Sequence, residues 1–521
     1  MAQLPFFVLS PSTILSLTGF IHGPDRTTPT PAEDWRKATV DVIIPALNEA
    51  ENIVHCLASV ARQTVRPRRI VLVDDGSTDG TVARAKAFCK SRRIELIAIR
   101  RRSPIGKTPT IKRQAREFDS DVEFILDADT VLESPTYIQR TVQELYQGAG
   151  IASAFGTVLP QTRRDRKRIA ESAAVRAFNR THPLGATARK GGWLRDARRG
   201  ITNLYREVLY LFLQRFVYRG QMQFFGTTTN PVGCAVAYRR KYVQAMFDHI
   251  GPILGDDLTN SEDIFIGFAM LNEGYRNVQL PDVYATTVEP EVHRLPRQIY
   301  LWSSAFLQSC YYFDPLVRSP FRMIKRWFSR RRGARLARAS RVLASGTDAS
   351  RPLFGTPLLA GAGNTSPLMR VLTMNVTELP AFVTGRPDRA ERVGGGSSAA
   401  FDQRRVREAY RQAFGRARTL EYGRPAGWIL VMSAAEKVFF PTTLFIMAIL
   451  HNWFGVALTV AVETLLCVTA LAAVMKGRRL EYVVKGLAVT PIRYGLLGSE
   501  LWTIGRFACD LWISGNRKWR K

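Results

Sequence analysis

The sequence predicts an α/β protein: a mostly parallel sheet in the N-terminal half, then membrane helices and interfacial helices toward the C-terminus. Three observations carry this expectation. Between residues 40 and 126, uniformly apolar runs alternate with helical patterns, as expected of strands covered on both faces by crossover helices. Acidic residues stand where two of those runs end, so they converge on one crevice. Two long apolar runs, residues 438–450 and 454–475, lie near the C-terminus.

A chain of 521 residues exceeds one compact core, and its hydrophobic content of 46% permits a large one. The text divides into an N-terminal extension (1–39), an α/β domain (40–310), a basic segment with a linker (311–425) and a helical hairpin with interfacial helices (426–521). Lys and Arg number 74 against 44 Asp and Glu, a net +30 that favours an anionic partner. Anionic membrane lipids are expected rather than nucleic acid, because the basic clusters flank apolar runs. The six cysteines are scattered without paired spacing, which excludes a disulfide framework and a zinc site. Residues 6–21 are apolar but hold Pro11 and several hydroxyls and follow no basic stretch, so neither a signal peptide nor a span is expected.

In order, Val40-Asp41-Val42-Ile43-Ile44-Pro45 reads as a buried strand running into a loop. A helix over 52–63 follows, with Ile53, Val54, Leu57 and Val60 at helical spacing. The second strand, 69–73, ends in Asp74-Asp75-Gly76-Ser77-Thr78-Asp79-Gly80, whose Ser, Thr and Asp can cap a helix over 81–90. Residues 94–99 are a third strand and 124–126 a fourth, which delivers Asp127-Ala128-Asp129. In an extended chain these two carboxylates share a face. As hard oxygen ligands they suit Mg²⁺ or Mn²⁺ carrying a diphosphate; the alternative role is turn capping.

Residues 162–219 are basic and largely helical, with Leu204, Val208, Leu211 and Phe212 on one face. That face packs on the sheet or lies on an anionic bilayer. Ser261 can cap a helix over 264–273, holding Asp263 in its first turn, with Asp256 and Asp257 as rival acids. Residues 318–341 crowd Arg around Phe321, Ile324, Trp327 and Phe328, which reads as a membrane-face anchor, and 344–398 reads as loop. The first apolar run needs residues 428–435 to reach spanning length, and His451-Asn452-Trp453 joins it to the second. Basic residues precede the hairpin (Arg404, Arg405, Arg411, Arg416, Arg418) and follow it (Lys476, Arg478, Arg479), with none in its loop, so both ends are expected in the cytoplasm. Glu463 marks a partner or a pathway, or pairs with Lys437. Residues 483–513 hold Pro491 and several aromatics and are expected along the interface, with 517–521 facing anionic lipid.

Three segments, Ile43-Ile44-Pro45-Ala46-Leu47-Asn48-Glu49, Val73-Asp74-Asp75-Gly76-Ser77-Thr78-Asp79 and Asp127-Ala128-Asp129, resemble in this order the family 2 glycosyltransferases with a GT-A nucleotide-sugar-binding domain. Pro231-Val232-Gly233-Cys234 with the residues to Arg240, and Ser261-Glu262-Asp263-Ile264, are similar to later motifs of membrane-bound hyaluronan, chitin, cellulose and poly-N-acetylglucosamine synthases. The resemblance covers residues 40–302.

It implies inverting, metal-dependent transfer from a UDP-sugar to a growing polysaccharide or glycan acceptor at the cytoplasmic face of the inner membrane. The alternative it leaves is a single transfer to a lipid carrier or lipid-linked acceptor. By resemblance, Pro45, Ala46 and Glu49 line the nucleotide pocket, Asp75 reads the uracil, and Lys107 sits near the nucleotide. Asp127 and Asp129 hold Mg²⁺ or Mn²⁺, and Gly233, Cys234, Gln298 and Trp302 complete the donor pocket. Asp263, beside Glu262, takes the acceptor proton. Two departures stand out. The family continues the Lys107 segment with Leu-Asn where this chain has Ile111-Lys112, and its Gln-x-x-Arg-Trp motif has Leu301 at the Arg position. Arg294 or Arg297 would then supply the diphosphate contact, or the acceptor side works differently. A processive product would require protomers to associate, since one hairpin cannot enclose a channel. A non-catalytic binding protein on the same fold is the rival class, against which Asp127, Asp129 and Asp263 argue.

Overall fold

The computed structural model describes residues 6–22, 34–147, 150–183, 193–254, 261–345, 426–475 and 477–514. Eight strands, β1 (Val40–Ala46), β2 (Arg69–Asp74), β3 (Leu96–Arg100), β4 (Val122–Leu126), β5 (Thr130–Leu132), β6 (Ile151–Pro160), β7 (Ala235–Arg239) and β8 (Arg276–Thr287), form one sheet in the order β3-β2-β1-β4-β7-β6-β8-β5. β1 pairs in parallel with β2 and β4, β2 with β3, and β6 with β8. The β4–β7, β6–β7 and β5–β8 pairings are antiparallel. The expected mostly parallel sheet is therefore found, with two reversed strands, β7 at its centre and β5 at its edge.

Each apolar run earns its place by burial on two sides. Val42 and Ile44 enter a core with Ile53, Leu57, Phe88 and Phe124, while the intervening Ile43 faces the opposite core with Val71, Ile111, Phe265 and Phe306. Each such side chain contributes about 1.5–3 kcal/mol when fully buried. The second core runs on into Ile429 and Leu430, so the sheet domain and the first apolar helix share an interior.

Two helices, Gly427–Ile449 and Trp453–Val474, are long and apolar enough to cross a membrane. The Asn452 side chain caps the second by accepting from the Gly455 N–H at 3.1 Å, which closes the expected hairpin. Helices Arg479–Gly495 and Leu497–Trp512 follow, and Pro491 lies inside the first without ending it. Tyr205, Val208 and Leu211 of the Trp193–Phe212 helix are buried with Leu471, Tyr482 and Val489. This face is taken by protein rather than by a bilayer, because the C-terminal helices cover it.

Residues 8–22 are built into this bundle. The helix Pro11–His22 packs so closely on the helix Tyr218–Phe225 that a Cβ on Gly220 would lie 2.6 Å from the Ser16 Cα. Its leading N–H groups are taken by two acids of the apolar hairpin. Ser10 N–H donates to Glu463 Oε1 at 2.5 Å and Ser12 N–H to Glu436 Oε2 at 3.1 Å. Glu463 also faces Arg493 at 3.6 Å, whereas Lys437 donates to Ser303 Oγ at 3.1 Å. The alternative pairing of Glu463 with Lys437 is thus corrected: the helix terminus was the partner. Gly220→Val is expected to destabilise the detergent-solubilised protein by about 1–3 kcal/mol through overpacking, read as a lower melting temperature.

The Arg-rich stretch begins a helix, Ser319–Ser345, that leaves Phe321 and Phe328 exposed. Asp256, Asp257, the loop expected beyond 345, the Arg404–Arg418 cluster, Lys476 and residues 517–521 lie outside the described residues.

Candidate active site

The crevice forms where β1, β2 and β4 end and the reversed β7 begins. A cavity of about 1220 Å³ opens there and continues between the apolar helices to Phe440, Val489 and Leu497. Asp127 extends the β4–β7 ladder, its N–H donating to the Cys234 carbonyl at 2.9 Å. The Thr130 N–H then donates to the Asp127 carbonyl at 2.9 Å, so the two acids sit on a tight turn rather than on an extended strand. The turn role weighed from sequence is thus found, and Asp127 and Asp129 also line the cavity.

Asp129 Oδ1 meets the Thr130 and Thr287 hydroxyls, at 3.4 and 3.3 Å. Burial, then the charges of Glu49, Asp127 and Glu289, push its carboxyl well above the usual range. Such a surplus of negative charge suits a cation. Glu49 is raised as well, chiefly by burial and against a hydrogen bond from Asn52.

Lys107 opens the helix Lys107–Glu117 and ties the two acidic groups together. Its ammonium lies 2.6 Å from Asp127 Oδ1 and 2.7 Å from Glu262 Oε1, and donates to the Gly233 carbonyl at 2.9 Å. Burial alone would lower its pKa, but Asp127 and Glu262 outweigh that and hold it well above normal.

Glu262 and Asp263 form the first turn of the helix Glu262–Glu273, with Ser261 at the N-cap position. The Ser261 side chain makes no capping bond, and the Ile264 N–H instead goes to Asp263 Oδ1 at 2.9 Å. Gly233 donates its N–H to Asp263 Oδ2 at 3.2 Å, and a Cβ there would meet the Asp263 Cβ at 2.9 Å. Only glycine lets the β7 entry approach the acid so closely. Burial and the Glu262 charge, opposed by Lys107, push the Asp263 carboxyl up to about 7. If Asp263 is the base that the resemblance implies, it is charged above this pKa and activity should rise with pH through about 7. Removing the opposing cation with Lys107→Met should move that midpoint upward, as pH–rate profiles of the two proteins would reveal.

The remaining expected residues divide. Asp75 lines the cavity, with Oδ1 accepting from Arg101 and the Ile105 N–H at 3.0 Å each and Oδ2 from the Gly106 N–H at 2.8 Å. Its first role is to shape the loop ahead of Lys107; a base contact would use a remaining lone pair. Cys234, Gln298 and Trp302 line the cavity, whereas at the end of β1 Leu47 does so in place of Pro45, Ala46 and Glu49. Asp79, not Ser77 or Thr78, serves the next helix, accepting from the Thr81 N–H at 3.1 Å.

Leu301 is the informative departure. Arg294 and Arg297 are exposed, and the guanidinium that meets Gln298 and Trp302 comes from Arg206 on another helix. Arg206 Nη2 donates to Gln298 Oε1 at 2.6 Å, and its guanidinium lies 4.4 Å from the Trp302 ring centre. Sequence reading missed Arg206 and its counter-ion Glu289. The available signal was one arginine within the apolar pattern of residues 204–212.

Carboxylates and a lysine gather beside the C-terminal ends of the parallel strands, where ligands of open α/β sheets bind. Residues 41–247 match the family described as glycosyl transferase family 2. An N-acetylglucosaminyltransferase of Mesorhizobium japonicum is 24% identical over 273 residues, 51% of this chain and 55% of that protein. An undecaprenyl-phosphate 4-deoxy-4-formamido-L-arabinose transferase of Pectobacterium carotovorum is 28% identical over 167 residues, 32% of this chain and 50% of that protein. The chain spans about half the length of these curated relatives. Among solved structures, the mannosyltransferase PcManGT of Pyrobaculum calidifontis, in complex with GDP-Man and Mn²⁺, aligns with 96% of this chain and 95% of its own at 15% identity and a TM-score of 0.43.

Proposed function

We propose that this protein transfers a sugar, with inversion, from a UDP-sugar to a hydroxyl of a glycan acceptor at a membrane surface. The observation that carries this reading is that Asp263 shares one cavity with Asp127 and Asp129 and is linked to them through Lys107 and Glu262. The acceptor hydroxyl gives its proton to Asp263 while its oxygen forms a bond to the anomeric carbon. The bond from that carbon to the diphosphate oxygen breaks, and the nucleoside diphosphate leaves with the electron pair. Lys107 stands where it can balance part of that charge.

The excess negative charge around Asp129 fits a divalent ion. Among the described residues no three ligating side chains converge closely enough to hold one alone. Asp127 and Asp129 would share Mg²⁺ or Mn²⁺ with the diphosphate. When bound, the ion supplies charge that stabilises the leaving group.

The hairpin supports a membrane location through its outward Phe439, Phe445, Ile449 and Leu465, all exposed. The reading puts the hairpin across the inner membrane, the catalytic domain in the cytoplasm and the Arg-rich helix on anionic lipid. A second reading, transfer to a lipid carrier or lipid-linked acceptor, is favoured by the extension of the cavity between the apolar helices. Solubilised protein given UDP-N-acetylglucosamine, other UDP-sugars and GDP-mannose with Mn²⁺ should release nucleotide from one donor and stop on chelation. A ladder of product sizes would support the glycan acceptor, and a single addition to a polyprenyl phosphate the lipid one. No release from any donor would overturn both.

A further inference from the structure

Glu289 follows β8 in the cavity wall, is only 3% exposed, and no role has been given to it. Two groups frame its carboxylate. Tyr210 lines the same cavity, Arg206 Nε stands 3.8 Å from Oε2, and the same guanidinium grips Gln298 and the face of Trp302. Arg206 is itself 1% exposed. A buried guanidinium and a buried carboxylate normally close on each other with paired short bonds, because each loses its hydration. Here they do not. Among the described residues, Arg206 Nε and Glu289 Oε1 make no hydrogen bond. The network is half satisfied, and its open side is the wall of the catalytic cavity.

Its chemistry narrows what would complete it. The free oxygen of a fixed carboxylate accepts from O–H or N–H donors and repels anions, so the diphosphate is not its ligand. Trp302 and Tyr210, which also line the cavity, offer the flat apolar faces that the C–H side of a pyranose covers. Carboxylate acceptor and aromatic face together match one sugar ring.

We propose that Glu289, oriented by Arg206, reads a hydroxyl of a pyranose bound against Trp302, and that Arg206 is a positioning residue acting through Glu289, Gln298 and Trp302. This rests on the transferase reading above. The pyranose belongs to the donor or to the end of the acceptor, and the chemistry is the same for both.

The test uses the full-length solubilised protein, the donor it turns over, and single-site deoxy analogues of donor and acceptor. Glu289→Gln should lower kcat/KM roughly 10- to 100-fold, the loss of one charged hydrogen bond. UDP affinity without added metal, by calorimetry, should stay within about twofold, because the proposed contact is to a sugar hydroxyl and not to the nucleotide. One deoxy analogue should be poor for the wild type and cost Glu289→Gln nothing further. That non-additivity in donor hydrolysis without acceptor assigns the donor sugar, and its presence only in transfer assigns the acceptor. Arg206→Lys keeps the charge and loses the fork; it should weaken discrimination at the same hydroxyl, and it carries the comparison if Glu289→Gln fails to fold. An unchanged rate, or a loss equal for every analogue, would overturn the inference. A wild type that turns over no donor would overturn the transferase reading with it.

Discussion

Asp263→Asn should reduce transfer by about 10²- to 10⁴-fold, the span associated with loss of a positioned general base. Asparagine has nearly the same shape, so it fits beneath Gly233, whose backbone lies within bonding distance of this side chain. It also removes a charge held beside Glu262, so the fold should be retained or slightly favoured. Donor affinity should be little changed, because the role proposed for the acid is on the acceptor. Nucleotide release under saturating donor, with a melting curve of the same sample, checks both halves. Turnover within about tenfold of the wild type would remove Asp263 from the role, and would direct attention to Asp256 and Asp257.

Asp129→Asn should cost about 10²- to 10³-fold, the scale of losing one charge-stabilising group at a departing anion. Its signature differs from that of the base variant. The loss should grow at low Mn²⁺ and be partly recovered at high Mn²⁺, since one of the two acids that would hold the ion is gone. A metal titration of the two proteins checks this. Equal dependence on Mn²⁺ would show that Asp129 does not hold the ion.

Much of this was legible because it is local. β1, β2 and β4 announce themselves as uniformly apolar runs, and Asp127, Asp129 and Asp263 follow strand or helix boundaries that short-range pattern reveals. What was missed depends on partners far along the chain. The reversal of β7 is fixed by its crossovers, not by the five residues Ala235–Arg239. Arg206 meets Gln298 across 92 positions, and no spacing rule links them. The apolar face of residues 204–212 read correctly as amphipathic, but what covers it lies beyond residue 470. Lys107 read as a nucleotide contact, and its tie to Glu262 became visible only once helix and crevice were assembled.

The bonds from Ser10 and Ser12 to the acids of the apolar hairpin span 453 and 424 positions. During synthesis the opening segment therefore leaves the ribosome long before its acceptors exist, and must wait with those amides bound to water or lipid headgroups. Assembly of the hairpin is what locks these residues in place, so this segment is among the last parts to settle.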